Sequence, residues 1–154
     1  MPDVTRWPVG AVSYDLEIAI GASSTRVFGA LSKETNAWWL DEFRMTGPGS
    51  TVRLEARAGG GLVEEHPNGE SLLWYTVLWF RPAARSVHLV GHVSADFGGP
   101  STNLLTLAVE ARGAGSVLRV TEAIHGRADE ASVRSLREGW TRLFTAGLAT
   151  YVER

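Results

Sequence analysis

The chain is predicted to be an α+β domain in which an antiparallel sheet of about seven strands packs against one long C-terminal helix. Three observations predict it. Apolar and polar residues alternate with a period of two in a succession of short runs, Gly- and Pro-rich punctuation separates those runs, and the last part of the chain switches to helical periodicity. At 154 residues the chain has the size of one domain, read as spanning residues 1–154, with a single core.

Tyr14, Leu16, Ile18 and Ile20 alternate with Ser13, Asp15, Glu17 and Ala19, the pattern of a strand with one buried and one wet face. Residues 1–11 before it are read as an irregular arm. Ser23 or Ser24 offers a hydroxyl to the free N–H groups of a helix start, and Val27, Phe28 and Leu31 follow at helical spacing. One or two short helices are expected there, ending near Trp38 and Trp39. After Gly47-Pro48-Gly49-Ser50, Val52, Leu54 and Ala56 alternate with Arg53, Glu55 and Arg57, which begins a second strand. Gly59-Gly60-Gly61 turns the chain into strand 62–65, and Pro67-Asn68-Gly69 turns it into 72–80. The run 72–80 is apolar at nearly every position, which predicts the strand at the middle of the sheet. Residues 87–93, 103–110 and 116–125 continue as strands. Asp129 then caps the last helix, where Val133, Leu136, Trp140, Leu143, Phe144, Gly147, Leu148 and Tyr151 fall, at 100° per residue, within a sector of roughly 140°.

Composition excludes several functions. A net charge of −2 with acids and bases interspersed provides no basic stripe, so nucleic acid is not an expected partner. With no cysteine there is no thiol nucleophile, disulfide or Cys-based metal site. The longest apolar run is about half of what a helix needs to cross a bilayer, and the N-terminal stretch does not read as a secretory signal. Membrane insertion is not expected, and the cytoplasm is the expected location. His88 and His92 would form an i, i+4 pair on a helix, but in the predicted strand they stand about 13 Å apart, too far to share a metal. No serine sits in a Gly-x-Ser-x-Gly frame. No catalytic residue, metal or cofactor is assigned.

The order of elements, together with Ala22-Ser23-Ser24-Thr25-Arg26-Val27-Phe28-Gly29-Ala30-Leu31 followed by Trp38-Trp39, then Gly60-Gly61-Leu62-Val63-Glu64-Glu65, then Glu138-Gly139-Trp140 with Leu143, Leu148 and Tyr151, resembles the helix-grip superfamily, also called START-like or SRPBCC. Within it these residues look like the AHSA branch, named for an activator of a heat-shock-protein ATPase. The resemblance covers nearly the whole chain from Tyr14 onward. It implies a curved sheet that grips the long helix and leaves a cavity between them, used for lipids, hormones or polyketides in some members and for protein contacts in others. Fold alone carries no function across.

Candidate cavity residues follow from side chains that break the apolar pattern or load it with aromatics. Alternation turns either Glu64 or Glu65 inward, and Glu65 is taken as the candidate; Glu122 shares a face with Leu118, Val120 and Ile124. A buried carboxylate needs a cation or hydrogen-bond donors, and Arg137, which falls on the apolar sector of the last helix, is the expected partner at the cavity mouth. Trp74 and Trp79 are five residues apart and should face opposite sides of their strand; Tyr75 and Trp79 share a face and are expected to line the pocket with Trp38, Trp39, Trp140 and Phe144. Gly147, in the middle of the apolar helix face, marks a close approach or free space.

The reading is a module that binds a small hydrophobic or aromatic ligand, with a homodimer as an open further partner. Two alternatives stand beside it: a polyketide cyclase- or dehydratase-like enzyme with a Glu/Tyr acid–base pair, and a protein-interaction or co-chaperone-like domain with an exposed patch at Trp38 and Trp39.

Overall fold

Seven strands form one antiparallel sheet in the order β1-β7-β6-β5-β4-β3-β2, in a computed structural model that describes residues 3–154. Their bounds are β1 Gly10–Ile20, β2 Thr51–Leu54, β3 Gly61–Glu65, β4 Ser71–Arg81, β5 Ser86–Val93, β6 Ser101–Arg112 and β7 Gly115–Gly126. Of the expected N-terminal arm, residues 1–2 lie outside the described residues and 3–9 have no regular structure. Gly10 and Ala11 already pair with β7. Because the first strand closes on the last, β5 takes the centre and the run 72–80, in β4, lies fifth. That expectation is corrected: the outer face of β4 is uncovered, and Leu73, Leu78 and Trp79 are each more than half exposed there.

Between β1 and β2 run α1, Ser24–Lys33, and α2, Thr35–Trp38. The Ser23 hydroxyl accepts from the Arg26 N–H at 3.1 Å, which satisfies one of the donors a helix start leaves free. The C-terminal helix begins as α3, Glu130–Arg142, where Asp129 accepts from the Ser132 N–H at 2.8 Å. It continues without a break through a π-helical stretch, Leu143–Ala149, into a last α turn, α4, Thr150–Val152. At regular α spacing Ala149 would point to solvent; the wider turn brings it into the core at 4% exposure.

The inner face of the sheet, including Ile18, Leu62, Val77, Leu89, Leu107 and Val120, packs on Trp140, Leu143, Phe144 and Leu148 of this helix. Two bulges bend the sheet around it. One shifts the register between Leu62 and Val63 against β4, the other between Val77 and Trp79 against β5.

The expected enclosed guest cavity is nearly filled. About 20 Å³ remains between sheet and helix, walled by Trp38, Trp39, Trp140 and Phe144 among others, enough for about one water molecule. Open space lies instead beside α3. A cleft of about 890 Å³ separates the C-terminal helix from β1, and another of about 330 Å³ flanks α3 above β6 and β7. No helix among the described residues is long and apolar enough to cross a membrane.

Candidate functional site

Three strands bring a large polar side chain to a position where alternation demands burial. On β1 it is Tyr14, in phase with Leu16 and Ile18; on β6 it is Asn103, in phase with Leu105 and Leu107; on β7 it is Glu122, in phase with Val120 and Ile124. Tyr14 sits directly across from Glu122 in the β1–β7 register, and its hydroxyl donates to Glu122 Oε1. Asn103 Nδ2 donates to Glu122 Oε2 at 3.3 Å, while Ser101 donates to Asn103 Oδ1 at 2.8 Å and so turns the amide nitrogen toward the acid.

The fourth member comes from three strands away. Tyr75 on β4 donates its hydroxyl to Glu122 Oε2 at 3.0 Å. In a flat sheet β4 and β7 would stand roughly 14 Å apart, so the contact depends on the curl of the sheet and on the ring lying across β5. Gly91 on β5 makes that possible: a Cβ there would sit 2.9 Å from both Cδ1 and Cε1 of Tyr75. Trp140 closes the cluster from the helix side, with its ring centroid 6.0 Å from Tyr75 and 5.5 Å from Phe144. Its indole N–H is buried with no partner among the described residues, an unmet donor beside the residual void that it lines.

The electrostatics follow from burial. Glu122 and Asn103 are almost completely buried and Tyr75 nearly so. Burial pushes the Tyr14 phenol well above its ordinary range; the hydrogen bond to Glu122 and the charge of that carboxyl act in the same direction, and Arg137 opposes them. Burial, then the charge of Glu122, raises Tyr75 as well. Both phenols therefore keep their protons at neutral pH and act as neutral donors. Arg137 does not pair with Glu122: its guanidinium lies over the Tyr14 ring, 5.6 Å from the centroid. The cluster spans the two clefts, since Asn103 lines the smaller one while Tyr14 lies on β1 between Val12 and Leu16, which line the larger.

No protein-family model matches the sequence, and no curated protein does. Solved structures do. Ara h 8.0201 superposes with a TM-score of 0.67 over 93% of this chain and 98% of its own, at 14% identity. Mll3558 from Rhizobium loti gives 0.67 over 91% and 96%, at 21% identity. A point mutant of norcoclaurine synthase from Thalictrum flavumn, in complex with a transition-state analogue, gives 0.56 over 96% and 97%, at 16% identity. The chain shares the fold of these structures, the helix grip.

Within the helix grip, the residues singled out from sequence separate into three places. Tyr75, Glu122, Arg137 and Trp140 meet at the cluster described above. Trp38, Trp39, Phe144 and Gly147 pack together further along the grip: Trp38 bonds Ala30 O through its indole at 2.9 Å and Trp39 bonds Phe43 O at 3.3 Å. Both tryptophans are buried, at 4% and 5% exposure, so the expected exposed patch around them does not exist. Gly147 marks a close approach, because a Cβ there would lie 2.5 Å from Trp38 O.

Glu65 and Trp79 are outside the grip, and both expectations are corrected. Glu65 is exposed and pairs with Arg53 at 2.7 Å. Glu64 is the inward carboxylate, and it accepts from the N–H groups of Met45 (3.1 Å) and Thr46 (2.7 Å), the Thr46 hydroxyl (2.6 Å) and the Trp74 indole (3.0 Å). Burial raises the Glu64 pKa, but the Thr46 hydroxyl and N–H and the Trp74 indole outweigh it and leave the carboxyl below its ordinary range. It ties the loop before β2 to the sheet. Trp79 faces outward because the bulge after Val77 inserts one residue and reverses the alternation; its ring packs on His88 (5.3 Å) and under Arg81 (4.2 Å). Phe80 turns in instead and stacks on Phe28.

Tyr14, Asn103 and Gly91 were missed. An Asn at an inward strand position was a legible signal, and so was a Tyr in the inward phase of β1. Gly91 had none, since the ring it accommodates comes from another strand. Among the described residues no group of three or more His, Asp or Glu side chains is placed to hold a metal.

Proposed function

We propose that this chain binds a small, mostly apolar or aromatic molecule in the clefts beside α3, with the polar end of the molecule at the Tyr14–Glu122–Tyr75–Asn103 cluster. One observation carries the reading. The first half of the C-terminal helix leaves both of its flanks open over the sheet, and between those flanks lies a buried carboxyl held by donors from three strands. Buried polar clusters are retained where they fix an orientation, and apolar walls with a few convergent polar groups are what small-molecule sites require.

Ala128 lines both clefts, so Ala128→Trp places a bulky ring where they meet and obstructs ligand entry while sparing the cluster. The test is fluorescence titration with the neutral probe N-phenyl-1-naphthylamine. Wild type is expected to bind it and Ala128→Trp, folded by circular dichroism, to lose it. Equal binding by the two proteins sinks the proposal.

The contact of two phenols with one carboxyl supports a second reading, a cyclase- or dehydratase-like enzyme with a Glu/Tyr acid–base pair. Two features weigh against it: the phenols are pushed away from neutral pH, where proton transfer is least effective, and Glu122 is fully buried. We assign the chain to the AHSA branch on its own motifs and to the cytoplasm. A co-chaperone role draws no support from the buried Trp38-Trp39 pair.

A further inference from the structure

The larger cleft has a charge pattern that its apolar walls do not explain. Val12, Leu16, Val133 and Ala146 supply its apolar surface, and Arg134, Arg137 and Arg142 its cations. Two of the three guanidiniums are already engaged: Arg134 with Glu130 at 3.6 Å and Arg142 with Glu42 at 2.6 Å. Arg137 pairs with no acid among the described residues. It is held toward the sheet, over the face of Tyr14. Glu138 also lines the cleft, but at 100° per residue it falls on the side of the helix turned from the sheet.

Tyr14 cannot serve as a second donor to an incoming anion, because its proton is given to Glu122. The wall that faces the sheet therefore offers one planar, permanently charged fork that no acid among the described residues already holds. A guanidinium in that position matches a carboxylate through two parallel hydrogen bonds. One unpaired positive charge balances a monoanion and leaves a phosphate dianion half neutralised. The volume, about 890 Å³, is of the size that small organic ligands occupy.

Building on the binding reading above, we propose that the ligand class is an amphipathic monocarboxylate, its carboxylate on Arg137 at the Tyr14 edge of the polar cluster and its apolar body along Val12, Leu16 and Val133. The selectivity comes from Arg137, and the cleft walls supply the remaining affinity.

The test uses three matched probes on the full chain at pH 7.5 and below their aggregation limits: dodecanoate, dodecanol and dodecylamine, followed by calorimetry. Wild type is expected to bind dodecanoate about 10- to 100-fold more tightly than dodecanol, the range of a charge-assisted hydrogen-bond pair, and dodecylamine more weakly than either. Arg137→Gln, at an exposed helix position, is expected to fold normally, keep its dodecanol affinity and lose the preference for dodecanoate. If wild type binds dodecanol as well as dodecanoate, or if Arg137→Gln keeps the preference, the carboxylate assignment is wrong while the binding reading stands. If no probe binds to wild type, both fall.

Discussion

Replacing Gly147 with alanine sets two known effects against each other inside one helix. Alanine is favoured over glycine in a helix by about 1 kcal/mol, so the substitution should stabilise if nothing else changes. At this position the new methyl group would lie 2.5 Å from the Trp38 carbonyl oxygen and 3.4 Å from Leu40 Cγ. The first contact is with backbone, and Trp38 is itself fixed through its indole bond to Ala30 O, so no flexible side chain can absorb the overlap. Overpacking of this kind costs about 1–3 kcal/mol, and the rigid neighbour argues for the upper half of that range. The net expectation is a loss of about 1–2 kcal/mol, or a fall in Tm of about 2–8 °C for a chain of this size. Gly139→Ala, in the same helix, is the control: the nearest atom to its Cβ would be Phe43 Cε1 at 3.7 Å, an ordinary contact. Its Tm should rise by about 2–4 °C. Thermal and urea melts followed by circular dichroism at the helix band measure both. If Gly147→Ala is as stable as wild type, the claim that this glycine exists for the approach of Trp38 is refuted.

Three further outcomes are expected. Because the folded state holds Glu64 below its ordinary range, the unfolded chain binds the additional proton, so this stabilisation is complete above the ordinary carboxylate range and is lost as pH falls through the folded value; urea midpoints should decline on acidification, and in Glu64→Gln that decline should flatten. Gly91→Ala should displace the Tyr75 ring from β5 and cost about 1–3 kcal/mol, with a near-ultraviolet dichroism change that Tyr75→Phe, which keeps the ring, does not share; an unchanged spectrum and midpoint would contradict the packing described. Trp79→Ser on the outer face should lower stability by less than about 1 kcal/mol, whereas Trp140→Ala in the core should lose about 3–5 kcal/mol; chemical denaturation that ranks them the other way would reverse the inward and outward assignments.

Much of the candidate site was readable from phase. Glu122 shares the inward phase of Leu118, Val120 and Ile124, and the structure buries all four. Trp79 shows where this logic fails. Counting by twos from Tyr75 assumes an uninterrupted strand, and the bulge after Val77 shifts the count by one, so Trp79 faces solvent and Phe80 the core. A bulge answers the need of a sheet to curve around a helix, and 72–80, apolar almost throughout, offers no local pattern to mark it. The choice between Glu64 and Glu65 was equally undetermined, because β3 is too short for alternation to decide and the donors that favour Glu64 come from the loop at Met45 and Thr46 and from Trp74.

Local pattern along the chain defines the set of elements: the strands by their two-residue alternation, the helices by their caps and apolar sector, and the turns by Gly and Pro. These are properties of neighbours along the chain, and hydrophobic burial enforces them wherever the segment ends up packing. The tertiary structure alone decided that the grip would be filled by Trp38, Trp39, Trp140 and Phe144 rather than left hollow, that Tyr75 would cross β5 over Gly91 to reach Glu122, and that Arg137 would lie on Tyr14 instead of on the acid. Each of these depends on the curvature of the sheet and the seat of the C-terminal helix, which are set by close packing among residues far apart in sequence.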